Sequence, residues 1–346
     1  MAVFDQRLLL DRMRHTWNHG DRLALGWTAV PGSLRVLMVE RSAFLSLCRA
    51  RPNLWSDDRY QRPATLRELG AELGTATRLV EVVLVGRVDA AVHARMESVV
   101  ERFTLGLAPR QPVALIDLVG FSKLGPIDQL VRLASLEQAL CRAEAALERA
   151  SFGFTPLRTT TGDGFYLWYS RSDPGDAARV LALVLATFLE FEVAGRDAGF
   201  DAGDLKATLG IGACFTFHRI AEQTPQDDTF IVGAVTVEIA RLMAACRPGQ
   251  ILLGTGPQHR RLATWRAAIG DLNAALGHRE PGTDRRLLAK LTGSRDDDGN
   301  AKLDRYTVRA KHGWTYPAVN MCAEALIAHD RPVPLGLADP HERAAA

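Results

Sequence analysis

The chain lacks the features that mark several protein classes. Its five cysteines are scattered and include no Cys-x-x-Cys pair, so we expect reduced core thiols, not a disulfide framework or a zinc site. A net charge of +2 argues against a protein that coats nucleic acid. The longest apolar stretch, 180–191, is too short to span a bilayer, and the first residues mix acid and base where a signal peptide would be apolar. These absences favour a cytoplasmic protein with no membrane and no nucleic acid among its partners.

The length and composition suit two domains and a tail. With 346 residues, 47% of them hydrophobic, the chain has room for about two cores. Residues 1–107 are expected to form a helix-rich regulatory or dimerisation region, with a strand at 33–39. The periodic segment 79–103 would form a connecting or dimerising helix. Residues 326–346 carry several prolines and end in alanines, which predicts a disordered tail.

A helix is also predicted over 65–74, where Thr65 followed by Glu68 matches a capping box. A leucine-spaced helix that ends in glycine can open a helix-turn-helix, which leaves a DNA-binding regulator as an alternative. No basic recognition helix follows, and this favours an amphipathic helix in a small helical region.

Residues 108–325 alternate between strand and helix patterns. This alternation predicts an α+β fold, an antiparallel or mixed sheet with helices packed on one face. The apolar spacing predicts helices over 126–150, 174–195 and 235–245. The strand patterns cover 113–119, 157–161, 165–169, 205–217, 230–233, 251–253 and 303–309.

Two aspartates stand where strands end. Asp117 interrupts the apolar run 113–119, and Asp163 occupies a Gly-Asp-Gly turn between two strand patterns. A charged side chain in a buried strand is costly unless a charged partner pairs with it. Each aspartate alone has an ordinary explanation, since Asp117 can cap a turn and Asp-Gly is a common hairpin signal. Together they could share a divalent cation, which points to phosphate chemistry.

Four motifs occur in a particular order along the second region. Residues 117–122 read Asp-x-x-Gly-Phe-Ser, residues 160–164 read Thr-Thr-Gly-Asp-Gly, and residues 241–251 run from Arg-Leu to Pro-Gly-Gln-Ile. In this order and spacing the chain resembles the class III nucleotidyl cyclases, the adenylate and guanylate cyclase superfamily. The resemblance covers about 112–254, with a weaker echo at 305–313.

This resemblance implies a reaction, a set of cations and a dimer. A nucleoside triphosphate would be converted to a 3′,5′-cyclic mononucleotide and pyrophosphate. Two divalent cations, Mg or Mn, would be held by Asp117 and Asp163, with the Leu118 carbonyl completing one shell. Arg241 would stabilise the charge that develops on the phosphate. In this family the metals and that arginine come from opposite protomers, so the resemblance implies a homodimer with shared active sites.

The resemblance also assigns a nucleotide pocket, and there the sequence departs from the family. The backbone N–H groups near the triphosphate would belong to Gly120, Phe121 and Ser122. Thr159 stands where purine cyclases place a lysine, Phe230 where they place a small polar residue, and Val237 where they place a ribose-orienting asparagine. The pocket would be smaller and more apolar, which favours CTP or UTP and resembles the bacterial pyrimidine cyclases of phage defence.

Two alternatives stay open for this pocket. An adenylate or guanylate cyclase could read its base through other groups, and a catalytically silent nucleotide-binding or scaffold protein could keep the fold without the reaction. Arg158 is the one nearby basic residue that could replace the missing lysine. Because neighbouring strand residues face opposite sides, we expect Arg158 to point away from the pocket that Thr159 lines.

Overall fold

The computed structural model describes residues 5–30, 32–50, 62–74, 77–83, 89–104, 106–152, 156–169, 175–198, 204–218, 229–277, 285–295, 301–310, 313–327 and 332–338. The chain divides into two compact units. The first comprises residues 1–109 together with 215–231, and the second comprises 110–214 together with 232–346. Within the described ranges, no helix combines the length and the apolarity needed to cross a bilayer.

The first unit is a small sheet with helices on both faces. Its elements are α1 (Gln6–Trp17), a 3-10 turn (Asn18–Gly20), β1 (Arg22–Val30), β2 (Ser33–Glu40), α2 (Arg41–Ala50), α3 (Pro63–Leu73), β3 (Thr77–Val83) and α4 (Ala90–Glu101). The strands pair antiparallel in the order β1-β2-β3. Val36 and Met38 pack in a cluster with α1 and α4 residues, whereas Leu37 and Val39 pack in a second cluster with α3 residues. This alternation along β2 is what a strand buried on both faces requires.

The helix expected over 65–74 is present as α3, but its predicted cap is wrong. The helix begins at Pro63, and Arg62 at the N-cap position makes no side-chain capping bond. Proline fits the first helical position because its fixed φ suits the helix and its missing N–H would have had no helical partner. Thr65 and Glu68 therefore lie inside the helix and form no capping box.

The single helix expected over 79–103 is also wrong. Residues 77–83 form β3, and the helix α4 begins only at Ala90. Val80 and Val82 are buried while Leu79 and Glu81 are exposed, which is the period of a strand. Asp89 caps α4 by accepting a hydrogen bond from the Val92 amide at 2.8 Å, so the helix has its own start signal.

After α4 the chain builds a large mixed sheet, which confirms the predicted α+β class. The elements are β4 (Gly106–Leu118), a 3-10 turn (Phe121–Lys123), α5 (Pro126–Arg149), β5 (Leu157–Thr160), β6 (Gly164–Trp168), α6 (Asp176–Ala198), β7 (Leu205–His218), β8 (Thr229–Gly233), α7 (Ala234–Met243), β9 (Ile251–Gly254), a 3-10 turn (Pro257–His259), α8 (Leu262–Leu276), β10 (Arg285–Leu291), β11 (Gly293–Arg295), β12 (Ala301–Leu303), β13 (Arg305–Arg309), β14 (Thr315–Ile327) and β15 (Val333–Leu335). The strand order is β10-β14-β9-β7-β4-β6-β5, with β8 beside β7 and both β13 and β15 beside β14. Strands β7 and β9 are parallel, whereas β4 and β6 are antiparallel.

Helices cover both faces of this sheet, so the expectation of helices on one face alone is wrong. Buried residues of α5, α6 and α8 pack against the β7 side chains that alternate with Lys206, Thr208 and Gly210. Helix α7 packs on the other face, where the Thr208 hydroxyl donates to the Ile239 carbonyl at 2.9 Å. A Cβ at Gly210 would lie 2.7 Å from Ile239 Cγ2. Glycine at this position therefore allows α7 to approach β7 closely.

Part of the expected disordered tail is ordered. Val333 and Leu335 are buried in the main core, and β15 pairs antiparallel with the end of β14. The exposed Pro334 lies between them, opposite Glu324. Proline lacks an N–H and is tolerated on a short strand at the edge of a sheet, which explains why the prolines in this segment misled the prediction.

Candidate active site

Asp117 lies at the end of β4, on the face of the sheet that carries α7. Its neighbours Ile116 and Leu118 point the other way and are buried in the main core. The Asp117 side chain is 15% exposed, and its Oδ2 lies 3.0 Å from the ammonium group of Lys206 on β7. The alternation of the strand thus places a carboxylate on a partly covered surface, next to a positive charge.

The turn between β5 and β6 brings Asp163 to the same place. The Thr161 amide donates to the Gly164 carbonyl at 2.9 Å, and the Leu118 amide donates to the Asp163 carbonyl at 3.0 Å. Gly164 lies directly opposite Asp117 in the β4–β6 register. A Cβ on Gly164 would overlap the Ile116 carbonyl oxygen. Gly164 is therefore required by the close approach of the two strands, whereas Gly162 adopts a φ of 104° that favours glycine. The approach of the strands sets Asp163 beside Asp117.

The two carboxyl groups act on each other electrostatically. Burial raises the pKa of Asp117 above its ordinary value, and the nearby charge and hydrogen bonding of Asp163 raise it further, while Lys206 opposes both effects. Two carboxylates and the Leu118 carbonyl are hard oxygen ligands of the kind that Mg and Mn prefer. These residues fit a divalent cation. Across the described ranges no group of three or more His, Cys, Asp or Glu side chains is placed to hold a metal ion, so the candidate side-chain donors here are the two aspartates.

The loop after β4 is held by α5. Gly120 adopts a left-handed conformation with φ of 70°, and the chain then makes the 3-10 turn 121–123 before α5 begins at Pro126. Gln129 Nε2 donates to the Phe121 and Leu124 carbonyls, each at 3.2 Å. Ser122 is exposed, and Phe121 packs partly buried against the main core. The predicted triphosphate segment 120–122 thus begins three residues after Asp117, and it forms most of the 3-10 turn that precedes the helix.

The expected pocket residue Thr159 faces the α7 side of the sheet. It pairs across the hairpin with Tyr166, whose hydroxyl donates to the Thr236 carbonyl at 3.4 Å. Arg158 points to the opposite side, where it lies 2.7 Å from Glu137 of α5. The expectation that Arg158 points away from Thr159 is therefore confirmed.

Helix α7 carries two of the predicted residues on its exposed stripe. Val237 is 51% exposed, and Arg241 follows one turn later on the same side. Between them, the buried Glu238 accepts a hydrogen bond from Arg261 at 2.6 Å, which fixes the rotation of the helix. Phe230 lies on β8 within the segment grouped with the first unit, and it is 37% exposed. The roles of these three predicted residues stay predictions.

Sequence reasoning missed Lys206 and Tyr166. Lys206 interrupts an apolar strand between the buried Leu205 and Ala207, as Asp117 does in its own strand. That shared pattern was a usable signal, because a buried strand tolerates a charge best opposite another charge. Tyr166 could have been found from the hairpin register, which sets it beside Thr159.

Comparisons with known proteins concern the fold. No protein-family model and no curated protein sequence matches the chain. Among solved structures, the guanylyl cyclase Cya2 matches with 15% identity and a TM-score of 0.42, over 62% of this chain and 92% of that one. The adenylyl cyclase CyaB from P. aeruginosa matches with 13% identity and a TM-score of 0.37, over 66% of this chain and 97% of that one. The guanylate cyclase domain of RhGC from Catenaria anguillulae, in complex with GTP, matches with 13% identity and a TM-score of 0.38, over 62% and 97%.

Proposed function

We propose that the protein is a nucleotidyl cyclase, which converts a nucleoside triphosphate to a 3′,5′-cyclic mononucleotide and pyrophosphate. The observation that carries the proposal is the pairing of Asp117 with Asp163, held by the hydrogen bond from the Leu118 amide to the Asp163 carbonyl. The end of β4 and a glycine-flanked turn lie side by side, and they hold two carboxylates next to each other despite the free-energy cost of desolvating them. Such an arrangement suits binding of cations that carry a triphosphate.

In this proposal each residue has a defined task. Two divalent cations, Mg or Mn, would activate the ribose hydroxyl and neutralise the phosphates when bound. Asp117 and Asp163 hold the cations with their carboxylate oxygens, and the Leu118 carbonyl adds a neutral donor. The loop 120–122 lies against the triphosphate, and Arg241 stabilises the developing negative charge. The exposed position of Arg241 on α7 suits a homodimer in which Arg241 contacts the phosphate bound near the two aspartates of the partner.

The decisive experiment incubates purified protein with Mn²⁺ or Mg²⁺ and each of the four common nucleoside triphosphates, and measures pyrophosphate release. Asp163→Asn should lower the rate by about a hundredfold or more, because it removes one charged cation ligand. Asp271→Asn is the matched control, since Asp271 is exposed on the remote helix α8. If all four triphosphates are inert with the unmodified protein, the proposal fails.

The base is proposed to be a pyrimidine. Thr159 and Tyr166 pair on the α7 face, where the Tyr166 ring occupies space and offers no lysine-like charge. A smaller pocket read by shape and stacking suits CTP or UTP. Competing the four triphosphates in one reaction, with the cyclic product identified by mass, tests this point. A dominant cyclic AMP or cyclic GMP product would overturn the base assignment and leave the cyclase proposal standing.

A second candidate function is a silent nucleotide-binding or scaffold protein of the same fold. The exposed Val237 favours it, because an aliphatic side chain at this position cannot orient a ribose by hydrogen bonding. A nucleoside triphosphate that raises the melting temperature, with no pyrophosphate released, would favour this candidate over the cyclase.

A further inference from the structure

Lys206 is the positive charge that the candidate site already contains. Its ammonium group lies 3.0 Å from Asp117 Oδ2, and its side chain is only 20% exposed. The flanking residues Leu205 and Ala207 are buried in the core on the other face of the sheet. The backbone therefore directs Lys206 towards the carboxylates, and the contact does not depend on a freely moving surface side chain.

The charge balance of the site follows from this contact. Two ionised aspartates carry two negative charges, and the ammonium group of Lys206 reduces the net charge of the site to minus one. Affinity for a hard divalent cation depends on the number of charged ligands and on the positive charges near them. The ammonium group also contacts Asp117 Oδ2, an oxygen that would otherwise be available as a ligand for one of the cations. One cation can be held by Asp163 and the other carboxylate oxygen of Asp117, but a second cation competes with Lys206.

We propose that Lys206 is an internal cation that occupies one of the two cation positions at Asp117. The carboxylate pair then binds one divalent cation readily and a second only by displacing the ammonium group. The inference rests on the proposed function, since it concerns the same carboxylates. It makes Lys206 a positioning residue that sets how many cations the site holds at a given concentration.

The test measures Mn²⁺ binding in the full-length protein without nucleotide, at about pH 7.5, by the electron paramagnetic resonance signal of free Mn²⁺. In the unmodified protein we expect a tight and a weak binding step. In Lys206→Met the weak step should tighten by about tenfold or more, because the competing charge is gone. Lys206→Gln keeps a hydrogen-bond donor without the charge and should behave like Lys206→Met. It also serves as the second variant if Lys206→Met does not fold.

Lys290→Met is the matched control. It removes the same charge from the same sheet, but Lys290 is exposed on β10, where it contacts Glu324 at 3.4 Å. We expect its Mn²⁺ binding to equal that of the unmodified protein. Lys206→Arg retains the charge and should also keep two unequal steps.

The outcomes separate this inference from the proposed function. If the Lys206 variants and the unmodified protein bind Mn²⁺ with the same affinities, Lys206 only stabilises the fold and the inference is overturned, while triphosphate turnover can still be present. If the unmodified protein binds no Mn²⁺ and Lys206→Met does, the inference is overturned, because it requires the unmodified protein to bind one cation readily. If no variant binds Mn²⁺, the inference fails, and the separate pyrophosphate assay decides the proposed function.

Discussion

Replacing Gly164 with alanine tests the close approach of strands on which the site depends. A Cβ at this position would overlap the Ile116 carbonyl oxygen and would lie 3.0 Å from the Asp117 Cα. Both obstacles are backbone atoms of the paired strand, so no side chain can rotate away to relieve them. We expect overpacking of about 1–3 kcal/mol and the weakening of about two ladder hydrogen bonds at ~1 kcal/mol each. The free energy of unfolding should therefore fall by about 3–5 kcal/mol in Gly164→Ala.

The assay is urea unfolding of Gly164→Ala, followed by tryptophan fluorescence, because Trp168 and Trp265 are buried in the second unit. Gly270→Ala is the control: Gly270 is an exposed residue inside α8, and a Cβ there meets nothing within 4 Å. This control should gain about 0.5–1 kcal/mol, since alanine favours a helix over glycine. A Gly164→Ala variant that unfolds within about 1 kcal/mol of the parent would refute the strand spacing and, with it, the placement of Asp163 beside Asp117.

Two further predictions concern titrating groups. Burial raises the pKa of Asp117 above its ordinary value of 3.8. Between the pKa of the unfolded chain and the higher pKa of the folded protein, the folded protein keeps a proton that the unfolded chain has released. The free energy of unfolding therefore falls as the pH rises through this interval. The asparagine in Asp117→Asn does not titrate, so only the parent loses stability in this way. In EDTA, the melting temperature of Asp117→Asn minus that of the parent should rise from about pH 3.5 upwards and then level off. A difference independent of pH would contradict this. Burial also raises the pKa of the Cys246 thiol to about 12, whereas Cys141 is exposed, so brief iodoacetamide treatment at about pH 8 should alkylate Cys141 and spare Cys246. Peptide mass spectrometry checks this, and early labelling of Cys246 would contradict its burial.

The parts of the candidate site that sequence reasoning pointed to are those with local sequence signals. Asp117 and Asp163 belong to a strand end and a hairpin turn whose signals are local, and Arg158 was placed by alternation within one short strand. These inferences need only a period of two residues and a glycine-rich turn. Neither inference used the order of strands in the sheet, although the contact between the two aspartates depends on the pairing of β4 with β6.

The parts that were missed depend on long-range pairing. Lys206 meets Asp117 only because β7 lies beside β4, and no local pattern specifies that neighbour. The placement of α7 on the opposite face could be predicted only if Gly210 had been interpreted as a site of close helix–strand contact, and not as a residue that destabilises a strand. Residues 79–83 were assigned to a helix because their valines and leucine also fit a helical period over so short a run.

The discontinuity of the first unit has a consequence for how the protein is made. Phe215 packs against the cluster that contains Leu23, Leu37 and Phe44, so part of that hydrophobic interior is supplied by a segment more than a hundred residues downstream of β2. A ribosome that has finished residue 109 must still add the chain up to residue 231, the last residue grouped with this unit. At roughly 5–20 residues per second this takes about 6–24 s. During that interval the cluster lacks its Phe215 contact, and the apolar side chains that Phe215 later covers are accessible to a chaperone.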